Sequence, residues 1–145
     1  MNEAGFIRAL RTRLPEHLVV WKVADRVTRG VPDLVIFGPD GALLWLEAKY
    51  SKTNHLTRIK PKLSLPQLAW LQQRYDTGHN VGVIFGQPNG ITLFWDKSWE
   101  SSQHVQNCTW SETIQILSDK LTLSTRRGDH GSNTNNNRQP LDCCS

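Results

Sequence analysis

Two acidic residues and one basic residue, Asp33, Glu47 and Lys49, flank a single turn of the chain. Two carboxylates within a few ångströms of each other repel, which raises the pKa of one of them unless a cation lies nearby. Oxygen ligands with open coordination positions suit Mg²⁺ or Mn²⁺. Such an ion binds a phosphate oxygen and lowers the pKa of a bound water, and a lysine can hold that water and offset the charge of the transition state. The three residue types therefore indicate a site that hydrolyses phosphodiester bonds.

A hairpin is the element that must position these side chains. The turn Gly38-Pro39-Asp40-Gly41 joins two predicted strands, over residues 33–37 and 43–49. A three-residue turn with Gly41 in the left-handed conformation places Asp33 opposite Glu47. Since residues two apart on a strand share a face, Lys49 lies beside them. A two-residue turn would instead offset the pair by one position, and the carboxylates would be close but less well aligned.

The competing interpretation is that these charges are ordinary surface residues, because a Glu-x-Lys triplet recurs by chance. The rest of the hairpin argues against it. One face carries Val35, Phe37, Leu43 and Trp45, and the other carries Leu34, Ile36, Leu44 and Leu46. Strands that are apolar on both faces lie in the centre of a sheet. Charges at the end of such a hairpin need partners, since an unpaired buried charge is costly.

The whole chain predicts an α/β fold in which a mixed central sheet of about five strands is flanked by helices, in the order α-β-β-β-α-β-β-α. The predicted helices cover about residues 3–14, 64–78 and 112–121, and the other predicted strands cover residues 18–24, 81–85 and 91–95. The segment Ser64-Leu65-Pro66-Gln67 matches a capping box at the start of the second helix. Three tryptophans lie in apolar patterns and are predicted to be in the core: Trp21, Trp45 and Trp70.

The composition narrows the class of protein. The chain has 145 residues, a formal charge of +4 and 38% hydrophobic residues, too many for a disordered chain. It contains no apolar run near the ~20 residues that a membrane span needs, and its first residues lack the layout of a secretory signal. Three cysteines are too few for the disulfide framework of a small secreted domain, which favours a reducing cytoplasm. One domain is predicted over residues 1–123, and the polar residues 124–145 are predicted to form a disordered tail.

Several segments together resemble the PD-(D/E)xK nuclease superfamily. They are Gly30-Val31-Pro32-Asp33-Leu34, Glu47-Ala48-Lys49, and Ser64 with Gln67 and Trp70-Leu71. Within the superfamily, the pattern is most similar to the virus-type replication-repair nuclease (VRR-NUC) domain, known as a stand-alone phage and bacterial protein and as the nuclease end of larger repair enzymes. The resemblance covers about residues 3–85 and implies a restriction-endonuclease-like core.

The resemblance also implies roles for single residues. It implies that the divalent metal, Mg²⁺ or Mn²⁺, is bound by Asp33, Glu47 and the backbone carbonyl of Ala48. It implies that Lys49 is the catalytic lysine and that Gln67 reaches into the site, although the capping box gives Gln67 a competing role. Glu3 matches an acidic residue that many relatives place near the metal; a first-turn acid favoured by the helix dipole is the alternative.

A basic segment follows the catalytic strand. From Lys49 to Lys62 the chain has no acidic residue, and the cations that follow Lys49 are Lys52, Arg58, Lys60 and Lys62, with His55 among them. Uncompensated cations beside a metal site would bind the phosphates of a nucleic acid, and Arg29 would extend the same surface. The alternative is a solvated loop whose charge only aids solubility.

These observations predict a hydrolase acting on ester bonds, a metal-dependent endonuclease that cleaves DNA in replication, recombination or repair. The resemblance implies structure-specific cleavage, with branched DNA such as Holliday junctions as the leading candidate substrate. One domain offers one active site, so a symmetric cut of two strands would require a homodimer. No membrane association and no small-molecule cofactor are expected, and the expected location is the cytoplasm of a bacterium or a phage-infected cell. The alternatives are a restriction-type or general DNA nuclease, and a nucleic-acid-binding module without catalysis.

Overall fold

The computed structural model describes residues 1–25 and 27–126, the last four of them without their side chains. The predicted tail therefore lies almost entirely outside the described residues. The helices and strands are α1 (Glu3–Arg13), β1 (Val19–Lys22), β2 (Leu34–Phe37), β3 (Leu43–Tyr50), β4 (Arg58–Ile59), α2 (Leu65–Asp76), β5 (Val81–Gln87), β6 (Gly90–Phe94), β7 (Gln103–His104) and α3 (Trp110–Arg126). No helix in this part of the chain is long and apolar enough to cross a membrane.

The five long strands form one mixed sheet in the order β1-β2-β3-β5-β6. All neighbours are antiparallel except β3 and β5, which run parallel because α2 carries the chain from one to the other. The predicted sheet and the predicted order of its elements are confirmed. Two short strands were not predicted: β4 and β7 pair antiparallel in a small second sheet, and β4 lies within the segment expected to be a loop.

Helices cover both faces of the sheet, which makes β3 a central, buried strand. One layer joins α1 and α3 to the even-numbered residues of the hairpin, and its core includes Phe6, Leu10, Leu34, Leu44, Leu46 and Leu117. The other layer joins α2 to the odd-numbered residues, and its core includes Leu71, Val81, Val83 and Phe85. Because Asp33, Glu47 and Lys49 have odd numbers, the hairpin places them on the side of α2.

The predicted capping residues of α1 and α3 cap these helices, but α3 is longer than predicted. The side chain of Asn2 accepts from the Gly5 N–H at 2.9 Å and caps α1. Thr109 and Glu112 form a reciprocal capping box, with both bonds at 3.1 Å. This cap starts α3 two residues before the predicted start, and the helix continues to Arg126, beyond the predicted boundary at residue 123.

The prediction of a buried Trp21 is wrong. This residue is 63% exposed, because β1 is the edge strand of the sheet, and its ring packs edge-on against Phe37 with 5.1 Å between centroids. An apolar run does not distinguish an edge strand from a central one. Trp45 and Trp70 pack against the core on the side of α2, with 5.2 Å between their ring centroids, but both are only partly buried.

Candidate active site

The hairpin turn sets the register that brings the acidic residues together. Asp40 and Gly41 both have positive φ, 57° and 76°, and the Gly38 N–H donates to the Ala42 carbonyl at 2.8 Å across a three-residue turn. The ladder then pairs Phe37 with Leu43 and Leu34 with Leu46. One step further along the same register, Asp33 stands opposite Glu47. The three-residue turn is confirmed, and the two-residue alternative is wrong.

Asp33 and Glu47, hereafter the carboxylate pair, each accept a hydrogen bond from a main-chain N–H of the other's strand. The Asp33 N–H donates to Oε2 of Glu47 at 3.2 Å, and the Ala48 N–H donates to Oδ2 of Asp33 at 3.1 Å. Nζ of Lys49 lies 3.4 Å from Oε1 of Glu47. Two carboxylates and one lysine thus converge at the end of the hairpin, as the sequence predicted.

Pro32 lies just beyond the last pair of the β2–β3 ladder, Leu34 with Leu46, and next to the carboxylate pair. The single bond from the Gly38 N–H to the Ala42 carbonyl closes the ladder at the turn, and hydrogen-bonded positions recur at every second residue of an antiparallel ladder, so Pro32 is the partner due opposite Ala48. Proline has no N–H to donate to the Ala48 carbonyl. The Ala48 carbonyl oxygen, beside the carboxylate pair, therefore accepts no hydrogen bond from residue 32. A proline placed at a hydrogen-bonded position of a predicted hairpin is a signal that could have been read from the sequence.

Burial dominates the electrostatics of Glu47. Glu47 is 2% exposed. This burial, and secondly the repulsion from Asp33, raises the pKa of Glu47 to about 8, whereas Lys49 lowers it. A carboxyl group with this pKa is mostly protonated at neutral pH in the absence of a metal. A divalent cation between the carboxylates would offset both the burial and the repulsion.

The two roles predicted to compete for Gln67 are compatible. Its Oε1 accepts from the Ser64 N–H at 2.9 Å, and its own N–H donates to the Ser64 hydroxyl at 3.3 Å, which completes the capping box. Its Nε2 donates to Oε1 of Glu47 at 2.7 Å. An amide has an acceptor and a donor end, so one side chain caps α2 and holds Glu47 at the same time.

Gly30 allows the start of α2 to approach the carboxylate pair. Its φ is +84°, and a Cβ at this position would lie 2.2 Å from the Pro66 carbonyl oxygen. Only glycine fits both the conformation and the contact. The segment that carries Asp33 therefore lies directly against the turn that carries Gln67.

Glu3 lies at the edge of this site. It is in the first turn of α1, where its pKa is raised by burial and by Asp33 and lowered by Lys49. Asp33 and Lys49 of the hairpin are thus close enough to shift the pKa of Glu3. The position agrees with either predicted role, the one near a metal and the one at the helix dipole.

The donor set fits a divalent cation that prefers oxygen. Within residues 1–25 and 27–126, no group of three or more His, Cys, Asp or Glu side chains could hold a metal ion. The ligands would be the carboxylate pair and the Ala48 carbonyl, with the remaining positions open to water and substrate. Oxygen ligands with open positions suit Mg²⁺ or Mn²⁺.

The predicted phosphate-binding cations are exposed, but one of them has internal partners. Arg58 donates to Oγ and to the carbonyl of Ser102 at 2.9 and 2.6 Å, and its guanidinium lies 3.2 Å from Nε2 of His104. These bonds join β4 to the segment around β7. Lys60 and Lys62 line an open groove of about 580 Å³ beside α2. The other two predicted cations, Arg29 and Lys52, are exposed in loops.

No family model and no curated protein matches the chain. Among solved structures, the chain is similar to a "VRR_NUC domain", with 21% identity over 60% of this chain and 87% of that one and a TM-score of 0.46. It is also similar to Archaeoglobus fulgidus Hjc, a Holliday junction resolvase from an archaeal hyperthermophile, with 22% identity over 63% and 70% of the two chains and a TM-score of 0.47.

Proposed function

We propose that the protein is a metal-dependent endonuclease that hydrolyses DNA phosphodiester bonds. The observation that carries the proposal is the convergence of Asp33, Glu47 and Lys49 at the end of a hairpin that is covered on both faces. Keeping Glu47 ionised in the folded protein is costly, because its pKa is raised to about 8. Strongly shifted groups of this kind are typical of functional sites.

Each residue of the site has a proposed part in the reaction. The carboxylate pair and the Ala48 carbonyl would hold the metal, which when bound supplies Lewis-acid chemistry at the scissile phosphate. Lys49 would donate a hydrogen bond to the attacking water and offset the negative charge that develops on the phosphate oxygens. Gln67 would keep the Glu47 carboxylate oriented through its 2.7 Å bond. Glu3 would act at the edge of the site, on the water or on the metal.

The cations beside the site would position the DNA backbone. Lys52, Lys60 and Lys62 are exposed on the segment that leaves the catalytic strand, and Arg29 is exposed on the loop that precedes Asp33. Contacts of lysine and arginine with phosphates fix the register of the DNA but do not read its sequence. Arg58 would contribute less, because its guanidinium binds Ser102.

The proposed substrate is branched DNA, with Holliday junctions as one example. Each of the three helices packs against the sheet, so no helix of the described chain projects to read bases in a major groove. Recognition would then depend on DNA shape. A symmetric cut would need two active sites, which a homodimer would supply. The proposed location remains the cytoplasm of a bacterium or a phage-infected cell.

The experiment is an incubation of the purified protein with linear, nicked, flapped and four-way DNA, in Mg²⁺, in Mn²⁺ and in EDTA. We expect cleavage of the branched substrates only when a metal is present. Equal cleavage of all four substrates would identify a general nuclease, and cleavage at one sequence would identify a restriction-type enzyme. Binding without cleavage in either metal would contradict the proposal and favour a nucleic-acid-binding module.

A further inference from the structure

One histidine of the loop between β3 and β4 is held in a fixed position. The His55 N–H donates to Oε1 of Gln87 at 2.9 Å, and the His55 carbonyl accepts from Nε2 of the same amide at 3.1 Å. Gln87 is 5% exposed and also donates to Oδ1 of Asn107 at 2.9 Å. A buried amide thus binds both main-chain groups of an exposed loop residue, which fixes where its side chain starts.

The imidazole of His55 lies on the same side of the sheet as Lys49. Its ring is edge-on to the ring of Phe85, with 5.6 Å between centroids. Phe85 is paired with Lys49 in the parallel register of β3 and β5. Paired residues of neighbouring strands project from the same face. His55 therefore lies beyond Phe85 in the row that starts at Lys49, on the face of the sheet that also carries Glu47.

We propose that His55 binds the phosphate next to the scissile phosphate on the same nucleic-acid strand. It would do so by donating an imidazole N–H to an oxygen of that phosphate. This inference rests on the proposed function. The surroundings of His55 suit an anion, because the chain has no acidic residue between Lys49 and Lys62. Lys52 is also exposed on the same loop. A hydrogen bond to a charged acceptor is stronger than one between neutral groups, and a donor that is already fixed loses little freedom on binding.

The test compares steady-state cleavage of the preferred DNA of the panel in Mg²⁺ by the wild type, His55→Phe and His55→Gln. Phenylalanine keeps a ring on Phe85 and removes both N–H groups, whereas glutamine keeps a donor. We expect His55→Phe to raise KM about tenfold with kcat changed less than about threefold, and His55→Gln to restore part of the loss. The matched control is His17→Phe, the same change at an exposed histidine away from the sheet end, which should leave KM unchanged.

A second variant separates phosphate binding from an effect on folding. Gln87→Met removes the amide that binds the His55 main chain, so it should raise KM in the wild type but add little in the His55→Phe background. Independent, additive effects would overturn the inference, as would a KM for His55→Phe equal to that of the wild type. A wild type that cleaves no DNA would overturn both proposals, whereas a cleaving wild type with an unaffected His55→Phe variant would overturn this one alone.

Discussion

Among residues 1–25 and 27–122, Glu47 is the charged side chain that the core buries. The folded protein raises the pKa of Glu47 from 4.5 to about 8, so between these pH values it holds a proton that the unfolded chain has released. The stability linked to this group is fully present below pH 4.5 and is lost as the pH rises towards 8. The core thus tolerates the residue best in its protonated state, or when a cation is bound.

The stability of the metal-free protein should depend on pH through Glu47. In EDTA, the free energy of unfolding of the wild type should fall between about pH 5 and about pH 8.5, and Glu47→Gln should show a smaller fall, because glutamine does not titrate. Urea unfolding at both pH values, followed by circular dichroism, measures the difference. The control is Glu16→Gln, the same change at an exposed site. Glu112 is not used, because it caps α3. Equal slopes in the wild type and in Glu47→Gln would contradict the assignment.

Gln67 illustrates how one side chain can satisfy a structural and a chemical demand. The two ends of its amide bind Ser64 and Glu47, so the variants that remove these contacts should have separable effects. Ser64→Ala should lower stability by about 1 kcal/mol through loss of the cap while leaving cleavage unchanged. Gln67→Met should lower stability by a similar amount and also reduce cleavage, because Glu47 loses its donor. Thermal melting and initial rates in Mg²⁺ distinguish the two, and a Gln67→Met enzyme as active as Ser64→Ala would refute the second contact's role.

At the scale of elements, the hairpin was predictable because its signals are local. The Pro-Asp-Gly turn and the alternating apolar residues determine the register, and the register alone places Asp33 opposite Glu47. The β4–β7 pair was not predictable, since it joins residues 58–59 to residues 103–104 and neither strand is long enough to show a period. The bonds of Arg58 to Ser102 and the approach of Gly30 to Pro66 are likewise long-range contacts that no local pattern encodes.

The contact between the Asp33 segment and α2 can be tested with two glycines of the same conformation. Gly30 and Gly78 have φ of +84° and +86°, but a Cβ at Gly78 would meet no atom within 4 Å, whereas one at Gly30 would overlap the Pro66 carbonyl. Gly78→Ala should cost about 1 kcal/mol from backbone strain, and Gly30→Ala roughly 3 kcal/mol or more. Gly30→Ala should also reduce cleavage, because Asp33 and Gln67 move apart. Equal losses of stability in the two variants, measured by urea unfolding, would mean that the close approach contributes nothing.

For the molecule as a whole, the formal charge of +4 matters through its distribution. If Lys52, Lys60 and Lys62 each contact a phosphate, replacing all three with glutamine should reduce the slope of log Kobs against log salt by up to ~2.7, since each contact contributes about 0.9. The control has the same change in charge on the exposed side of α1, through Arg8, Arg11 and Arg13. DNA-binding titrations over a range of salt in EDTA provide the slopes. A slope that changes as much in the control as in the lysine variant would remove these lysines from the DNA surface.

The central claim is that one metal-dependent site, built on a single hairpin, cleaves DNA, and Lys49→Ala tests it most directly. Lys49 is 20% exposed and lies 3.4 Å from Glu47, so its removal leaves the sheet and the carboxylate pair in place. The measurement is single-turnover cleavage of four-way DNA in Mg²⁺ by the wild type and by Lys49→Ala, with melting curves of both proteins. The account predicts cleavage by the wild type that EDTA abolishes, and a rate at least about a hundredfold lower for a folded Lys49→Ala. Cleavage by Lys49→Ala at the wild-type rate would contradict it.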